Sequence, residues 1–96
     1  MNRSYIYILT NISRTVLYIG VTSDLIGRVT NHKISKGSIF TKRYNLKYLI
    51  YFEEFSDVNQ AIQREKQLKN WRKEWKWNLI SELNPELKDL YEDLKL

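Results

Sequence analysis

Cysteine is absent from this 96-residue chain, which excludes disulfides, thiolate metal sites and a cysteine nucleophile. No apolar run approaches the roughly 20 residues that span a membrane. The N-terminal stretch MNRSYIYILTNISR offers no small-residue cleavage site for a signal peptide, so a cytoplasmic location is the expectation. With one proline and three glycines, nothing reads as a linker, an internal repeat or a low-complexity segment. The glycine-rich phosphate loops, the dinucleotide fingerprint, HExxH and Cys/His zinc spacings are all missing. Acidic residues are missing too from the whole interval between Asp24 and Glu53, which holds six basic ones: Arg28, Lys33, Lys36, Lys42, Arg43 and Lys47.

The rest of the charge sharpens that asymmetry. The net charge is +5, yet residues 82–96 carry −3, so residues 1–81 carry +8. A concentrated positive field suits a polyanion, most simply nucleic acid. Apolar residues at 43% and aromatics at 14% argue for a folded chain with one core.

SYIYILT and TVLYIGV read as strands, with NISR as the turn of an antiparallel hairpin. TSDLIGRVTNHKIS reads as a helix capped by Ser23 or Asp24, with Gly37 just past its end and Gly27 as a weak point. SIFTKRYN reads as a basic loop and LKYLIYFEEF as a third strand. Asp57 to about Trp71 forms the second helix, and WRKEWKWNLISEL continues helical, as one rod or after a bend. Asn84-Pro85 ends that element and opens a last short helix with Pro in its first turn. The expectation is an α+β domain over residues 1–96. Its core spans about 4–85 and a helical acidic tail about 84–96. A three-stranded antiparallel sheet is flanked by helices in the order β-β-α-β-α-α(-α).

Three groupings stand out for chemistry. In the second helix Val58, Ala61, Ile62 and Leu68 share a face, and Glu65 points from its middle. A carboxylate there is costly unless something positive meets it; an edge residue paired with a base such as Arg28 would satisfy that. Arg28 and His32 are one turn apart on the first helix, where an Arg ordinarily snorkels and a His ordinarily packs. Tyr5, Tyr7 and Leu9 share a face of the first strand, and Tyr18 and Gly20 a face of the second. A phenol can donate, accept or pass a proton, and Gly20 would admit a close approach. Trp71 and Trp75, four apart, look like a core or stacking ridge, with core packing the expectation. FTKRYNLKY could contact phosphate through its bases and stack a nucleobase on its tyrosines.

The combination is more specific than its parts. YIY at 5–7, YIG at 18–20, Arg28, His32, FTKRY, Leu49-x-Tyr51-x-Glu53, the run Ala61-x-x-Arg64-Glu65-Lys66-Gln67-x-Lys69-x-Trp71 and Asn84-Pro85 stand in register. This resembles the GIY-YIG nuclease family, in its small single-domain bacterial branch, and is similar to the N-terminal domain of an excinuclease. The resemblance covers residues 4–85. It implies a metal-dependent endonuclease acting on DNA rather than RNA, structure-directed or weakly sequence-specific. Catalytic roles fall on Tyr7, Tyr18, Arg28, His32 and Glu65, with Glu65 holding one Mg²⁺ or Mn²⁺ among waters. Either tyrosine could help take the proton from the attacking water. Lys42, Arg43, Tyr44, Lys69 and Arg72 are the nucleic-acid-binding candidates, and Gly20 and Asn84 the site-shaping ones, with Asn78 a weaker choice than Asn84. Tyr5 stands where the name-giving glycine would, and Val21-Thr22 offer no lysine after YIG, where some relatives carry one.

Two rival readings follow from the same residues. One is a catalytically weak or inactive nucleic-acid-binding module of the same fold, the other a homodimer through the Trp-rich helix. A monomer or weak homodimer, with room for a protein partner that supplies specificity, fits a domain this small.

Overall fold

The first strand, β1 (Ser4–Thr10), lies in the middle of a three-stranded antiparallel sheet of order β2-β1-β3, with β2 at Leu17–Thr22 and β3 at Tyr48–Phe55. That position explains why SYIYILT has no solvent face. Ile6 and Ile8 point to one side of the sheet and Tyr7 and Leu9 to the other, and all four are fully buried. The computed structural model describes residues 3–34 and 37–95. Ser35, expected to end the first helix, and Lys36 of the basic run lie outside the described residues.

Helices cover both faces, giving the α+β order anticipated from the sequence. On one side, Leu25 and Val29 of α1 (Leu25–Lys33) pack on Tyr7 and Leu9, together with Leu46, Leu49 and Tyr91. On the other, Ala61 and Leu68 of α3 (Val58–Asn70) and Ile80 of α4 (Lys73–Leu83) pack on Ile6, Ile8 and Ile19. Asp24 caps α1 by accepting from Gly27 N, and Asp57 caps α3 by accepting from Asn59 N. The hairpin turn is organised by Asn11, whose side chain accepts from the backbone N–H groups of Thr15 and Val16 at 2.8 and 3.1 Å.

Four expectations need correction. SIFTKRYN is not a loop but carries a short helix, α2 (Ile39–Arg43), nucleated by Ser38, whose hydroxyl accepts from Thr41 N. Five residues are too few for a helical period to show. Of the two alternatives for the long helical stretch, the bend holds: α3 and α4 are separate, because Trp71 and Arg72 are both extended. That break leaves Trp71 packed against the core, while Trp75 is 48% exposed, contrary to a core pair. No helix starts at Pro85. The buried Asn84 amide donates to the carbonyls of Ile50 and Lys88 and accepts from Lys88 N, closing a turn in which Leu87 has φ 53°. The last helix, α5, begins only at Tyr91 and runs to Leu94. Finally, Val58 and Ile62 are exposed, so the apolar stripe of α3 is narrower than its spacing suggested.

The acidic tail is docked. Asp89 accepts from Leu49 N at 3.1 Å and pairs with Lys33 at 2.5 Å, and Leu90 N donates to Leu49 O. This ties residues after Asn84 to the outer edge of β3 and to α1. No helix among the described residues is long and apolar enough to cross a membrane.

Candidate active site

The register of β1 on β2 sets Tyr7 opposite Gly20 and Leu9 opposite Tyr18. Three aromatic rings then converge on the α1 side of the sheet. Tyr7, Tyr18 and His32 have mutual centroid distances of 6.2, 5.9 and 5.9 Å. His32 reaches them because Leu25, Val29 and His32 fall on the buried face of α1. Arg28, on the flank of that helix, stays exposed.

The cluster is polar inside. The Tyr7 hydroxyl is 3.3 Å from His32 Nε2, and His32 Nδ1 is 3.2 Å from the Thr41 hydroxyl. Tyr7 is 0% and His32 5% exposed. Burial pushes the Tyr7 phenol up to about 12, the nearby Tyr18 adds to that, and Arg28 opposes it. Burial lowers the His32 pKa, and the positive charge of Arg28 lowers it further. At neutral pH the site therefore holds an uncharged imidazole behind uncharged Tyr7.

Gly20 was expected to admit a ligand or a backbone. What comes close is Tyr7: a Cβ on Gly20 would lie 2.6 Å from the phenol carbon and oxygen. The glycine makes room for the ring.

Two recesses open beside Tyr18, which is half-buried. One, of about 280 Å³, is lined by Tyr18, Arg28, Asn31, His32, Gly37 and Ser38. The other, of about 290 Å³, is lined by Leu17, Tyr18, Ile19, Phe40, Lys69 and Lys76. From Tyr18 the aromatic surface continues to Phe40 at 6.2 Å and on to Tyr44 at 4.8 Å, on α2 and its C-terminal cap. Lys42 and Arg43 are exposed beside them.

Glu65 sits on α3 between the buried Ala61 and Leu68. Its side chain is 21% exposed and its carboxylate pairs with Lys69 at 3.2 Å, not with Arg28. No hydrogen bond or ion pair among the described residues links it to Tyr7, Tyr18, Arg28 or His32. Lys69, one turn further on, reaches the recess beside Tyr18, so α3 contributes to the same edge of the sheet. Arg72 lies over the Trp75 ring at 5.6 Å, and Asn78 lines a groove with Trp71 and Trp75. Asn84 spends its amide on backbone groups, as described above.

Among the described residues no group of three or more His, Asp and Glu side chains is placed to hold a metal. The donor set nevertheless suits a hard cation, because Mg²⁺ keeps several waters and needs only one or two carboxylates. Glu65 is a solvent-reached carboxylate of that kind.

A family model described as the GIY-YIG catalytic domain matches residues 3–78, a span holding Tyr7, Tyr18, Arg28, His32 and Glu65. The chain belongs to the GIY-YIG family. It is 32% identical over 82 residues to a UPF0213 protein of Staphylococcus haemolyticus, covering 85% of this chain and 99% of that one. A UPF0213 protein of Haloquadratum walsbyi is 33% identical over 78 residues, covering 81% and 86%. One of Pediococcus pentosaceus is 39% identical over 69 residues, covering 72% of each. No solved structure gave a significant match. As a GIY-YIG domain the chain has a nuclease fold, with nucleic acid as the implied substrate.

Sequence reasoning missed Thr41, Phe40, Gly37, Ser38 and Lys76. Phe40 and Tyr44 are four apart, which marks one helix face only once α2 is known to be helical. Thr41 carried no signal of its own, since a lone threonine in a basic segment is ordinary.

Proposed function

We propose that this GIY-YIG chain is a divalent-metal-dependent endonuclease hydrolysing phosphodiester bonds in DNA, directed by DNA structure or only weakly by sequence. The observation that carries the reading is the buried contact between the Tyr7 hydroxyl and His32 Nε2, behind two recesses that share Tyr18. A neutral imidazole behind two phenols is a proton acceptor set back from solvent, as base catalysis at neutral pH requires.

Tyr18 reaches solvent and in this reading meets the attacking water. Tyr7, too basic as a phenolate to lose its proton outright, passes that proton to His32 while receiving one from Tyr18. The water oxygen bonds to phosphorus, the bond to the leaving sugar oxygen breaks, and the proton lost by the water is balanced by one gained at His32. Arg28 pairs with the scissile phosphate, where its fork matches two oxygens and its charge offsets the charge that develops. Glu65, with waters, would hold a Mg²⁺ or Mn²⁺ ion, which would supply Lewis acidity for the leaving oxygen. Lys42, Arg43, Lys69 and Arg72 hold the nucleic-acid backbone, and Tyr44 offers a face to a base. Gly20 shapes the site by seating Tyr7, and Asn84 acts at a distance through the turn it closes.

A non-catalytic binding module is the competing reading, favoured by the Glu65–Lys69 pair, which occupies the proposed metal ligand. Incubation with supercoiled plasmid, branched duplexes and single strands in Mg²⁺ or Mn²⁺, beside Glu65→Ala and Arg28→Ala, separates the two. Metal-dependent nicking lost in both variants supports the enzyme. Binding that survives in Glu65→Ala, with no cleavage of any substrate by the wild type, overturns it.

A further inference from the structure

We propose that Thr41 is a positioning residue that fixes His32 as the tautomer protonated on Nδ1, leaving Nε2 bare to accept the proton of Tyr7. The inference rests on the nuclease reading and adds to it a residue and a direction of proton flow.

The argument is a count of protons. The Thr41 hydroxyl has one, and three groups surround it: Ser38 O at 3.0 Å, Ser38 Oγ at 3.2 Å and His32 Nδ1 at 3.2 Å. A backbone carbonyl can only accept, so the Thr41 proton goes to Ser38 O, the shortest of the three contacts. The oxygen then faces His32 with lone pairs alone, and Nδ1 must bring the hydrogen. An imidazole buried to 5% exposure, with Arg28 at its flank, is uncharged at neutral pH. Nε2 is therefore bare, and the hydroxyl 3.3 Å away on Tyr7 donates to it.

Gly37 supplies an independent steric observation. A Cβ there would lie 2.2 Å from His32 Nδ1 and 2.5 Å from the Thr41 hydroxyl. Any larger residue would wedge the pair apart, so the loop is glycine where the imidazole and the hydroxyl meet. Ser38 holds the third side, capping α2 through Thr41 N.

The consequence lies at Tyr7. With its proton directed inward, its oxygen keeps lone pairs free to accept, and the half-buried Tyr18 stands beside it with ring centroids 6.2 Å apart. Tyr18 can then donate inward and accept from a water. The opposite tautomer would donate from Nε2 to Tyr7 and turn every hydrogen bond in the row around. Among the described residues, the charged or titratable groups facing His32 are Tyr7 from β1, Tyr18 from β2 and Arg28 from α1; α2 presents only hydroxyls.

His32 is the only histidine, so protein labelled with ¹⁵N-histidine gives one pair of ring resonances. At neutral pH the wild type is expected to show a protonated Nδ1 and an unprotonated Nε2. Thr41→Val keeps the shape, removes the acceptor and is expected to abolish that pattern, with kcat falling at least roughly tenfold at unchanged KM. Thr41→Ser is expected to restore both. Wild type protonated on Nε2 overturns the proposal, and so does Thr41→Val with unchanged tautomer and rate. Should Thr41→Val unfold, the wild-type spectrum and Thr41→Ser still decide. Should the wild type cleave nothing, the nuclease reading falls and the spectra alone judge the clamp.

Discussion

The ring of Tyr7 lies across Gly20 on the neighbouring strand, so closely that one methyl group on Gly20 would reach to 2.6 Å from the phenol. Gly20→Ala must therefore expel the ring from its contact with His32. We expect a loss of about 1–3 kcal/mol in urea unfolding, the usual cost of overpacking, together with loss of cleavage. Tyr7→Phe keeps the packing and should lose cleavage with a smaller stability change. A Gly20→Ala protein as stable and active as wild type would show that the crowding is unimportant.

His32 makes stability depend on pH with a definite sign. Its folded pKa is lowered below 6.5, by burial first and Arg28 second. Between the two values the unfolded chain binds a proton that the folded chain does not, so stability rises with pH across that window. The contribution is complete above pH 6.5 and is lost as pH falls through the folded value. Urea midpoints from pH 4 to 8 should show this slope in wild type and not in His32→Asn. Cleavage by the wild type should fall on the acid side at a pH below the ordinary histidine range, and in Arg28→Ala the acid end of the stability window should move upward.

Arg64 clamps α3 to β3. Its guanidinium donates to both oxygens of Glu53 at 2.8 and 2.9 Å, and the Tyr51 hydroxyl donates to the same carboxylate. Burial raises the Glu53 pKa, but the hydrogen bonds from Arg64 and Tyr51 bring it below the usual range. Lysine cannot reproduce the fork, so Arg64→Lys should cost about 1–2 kcal/mol in thermal unfolding. Because Glu65 follows directly, the same variant should also weaken cleavage by letting the helix turn.

Glu65 and Lys69 pair near the surface, where such pairs contribute little, about 0.3–0.5 kcal/mol on a helix. Glu65→Gln should leave the unfolding midpoint almost unchanged while removing Mn²⁺ binding in calorimetric titration. Lys69→Ala should tighten Mn²⁺ binding, because the ammonium competes for the carboxylate. Unchanged Mn²⁺ affinity in Glu65→Gln would sink its role as ligand.

Exposed Lys42 and Arg43 contact phosphate in this reading. Alanine at either should weaken DNA binding about equally across sequences and reduce the salt slope of the binding constant by about 1. A change confined to certain sequences would instead mean base contact.

Much of the site was legible before any coordinates. Strand alternation put Tyr7 on one face of β1, the turn residues paired that strand with β2, and the four-residue spacing put Arg28 and His32 on one side of α1. These are consequences of local geometry, periods of two and of 3.6 residues that a chain carries along its own length. The helix spacing also singled out Glu65 but misjudged its surroundings, because Val58 and Ile62 turned out to be exposed and its partner was Lys69.

What local chemistry could not contain was the meeting of distant segments. Thr41 acquires a role only because α2 folds back to within 3.2 Å of His32. Gly20 has a reason only because Tyr7 lies on the next strand, and Asn84 only because β3 passes within reach of its amide. Such contacts depend on how helices settle on the two faces of a sheet, which is a property of packing between elements and not of any stretch of sequence. Residue types and spacing were enough for the strands and for α1 and α3, while the five candidate catalytic side chains came from the family resemblance. Tertiary packing alone brought Tyr7, Tyr18 and His32 together and supplied the hydroxyl that orients the imidazole.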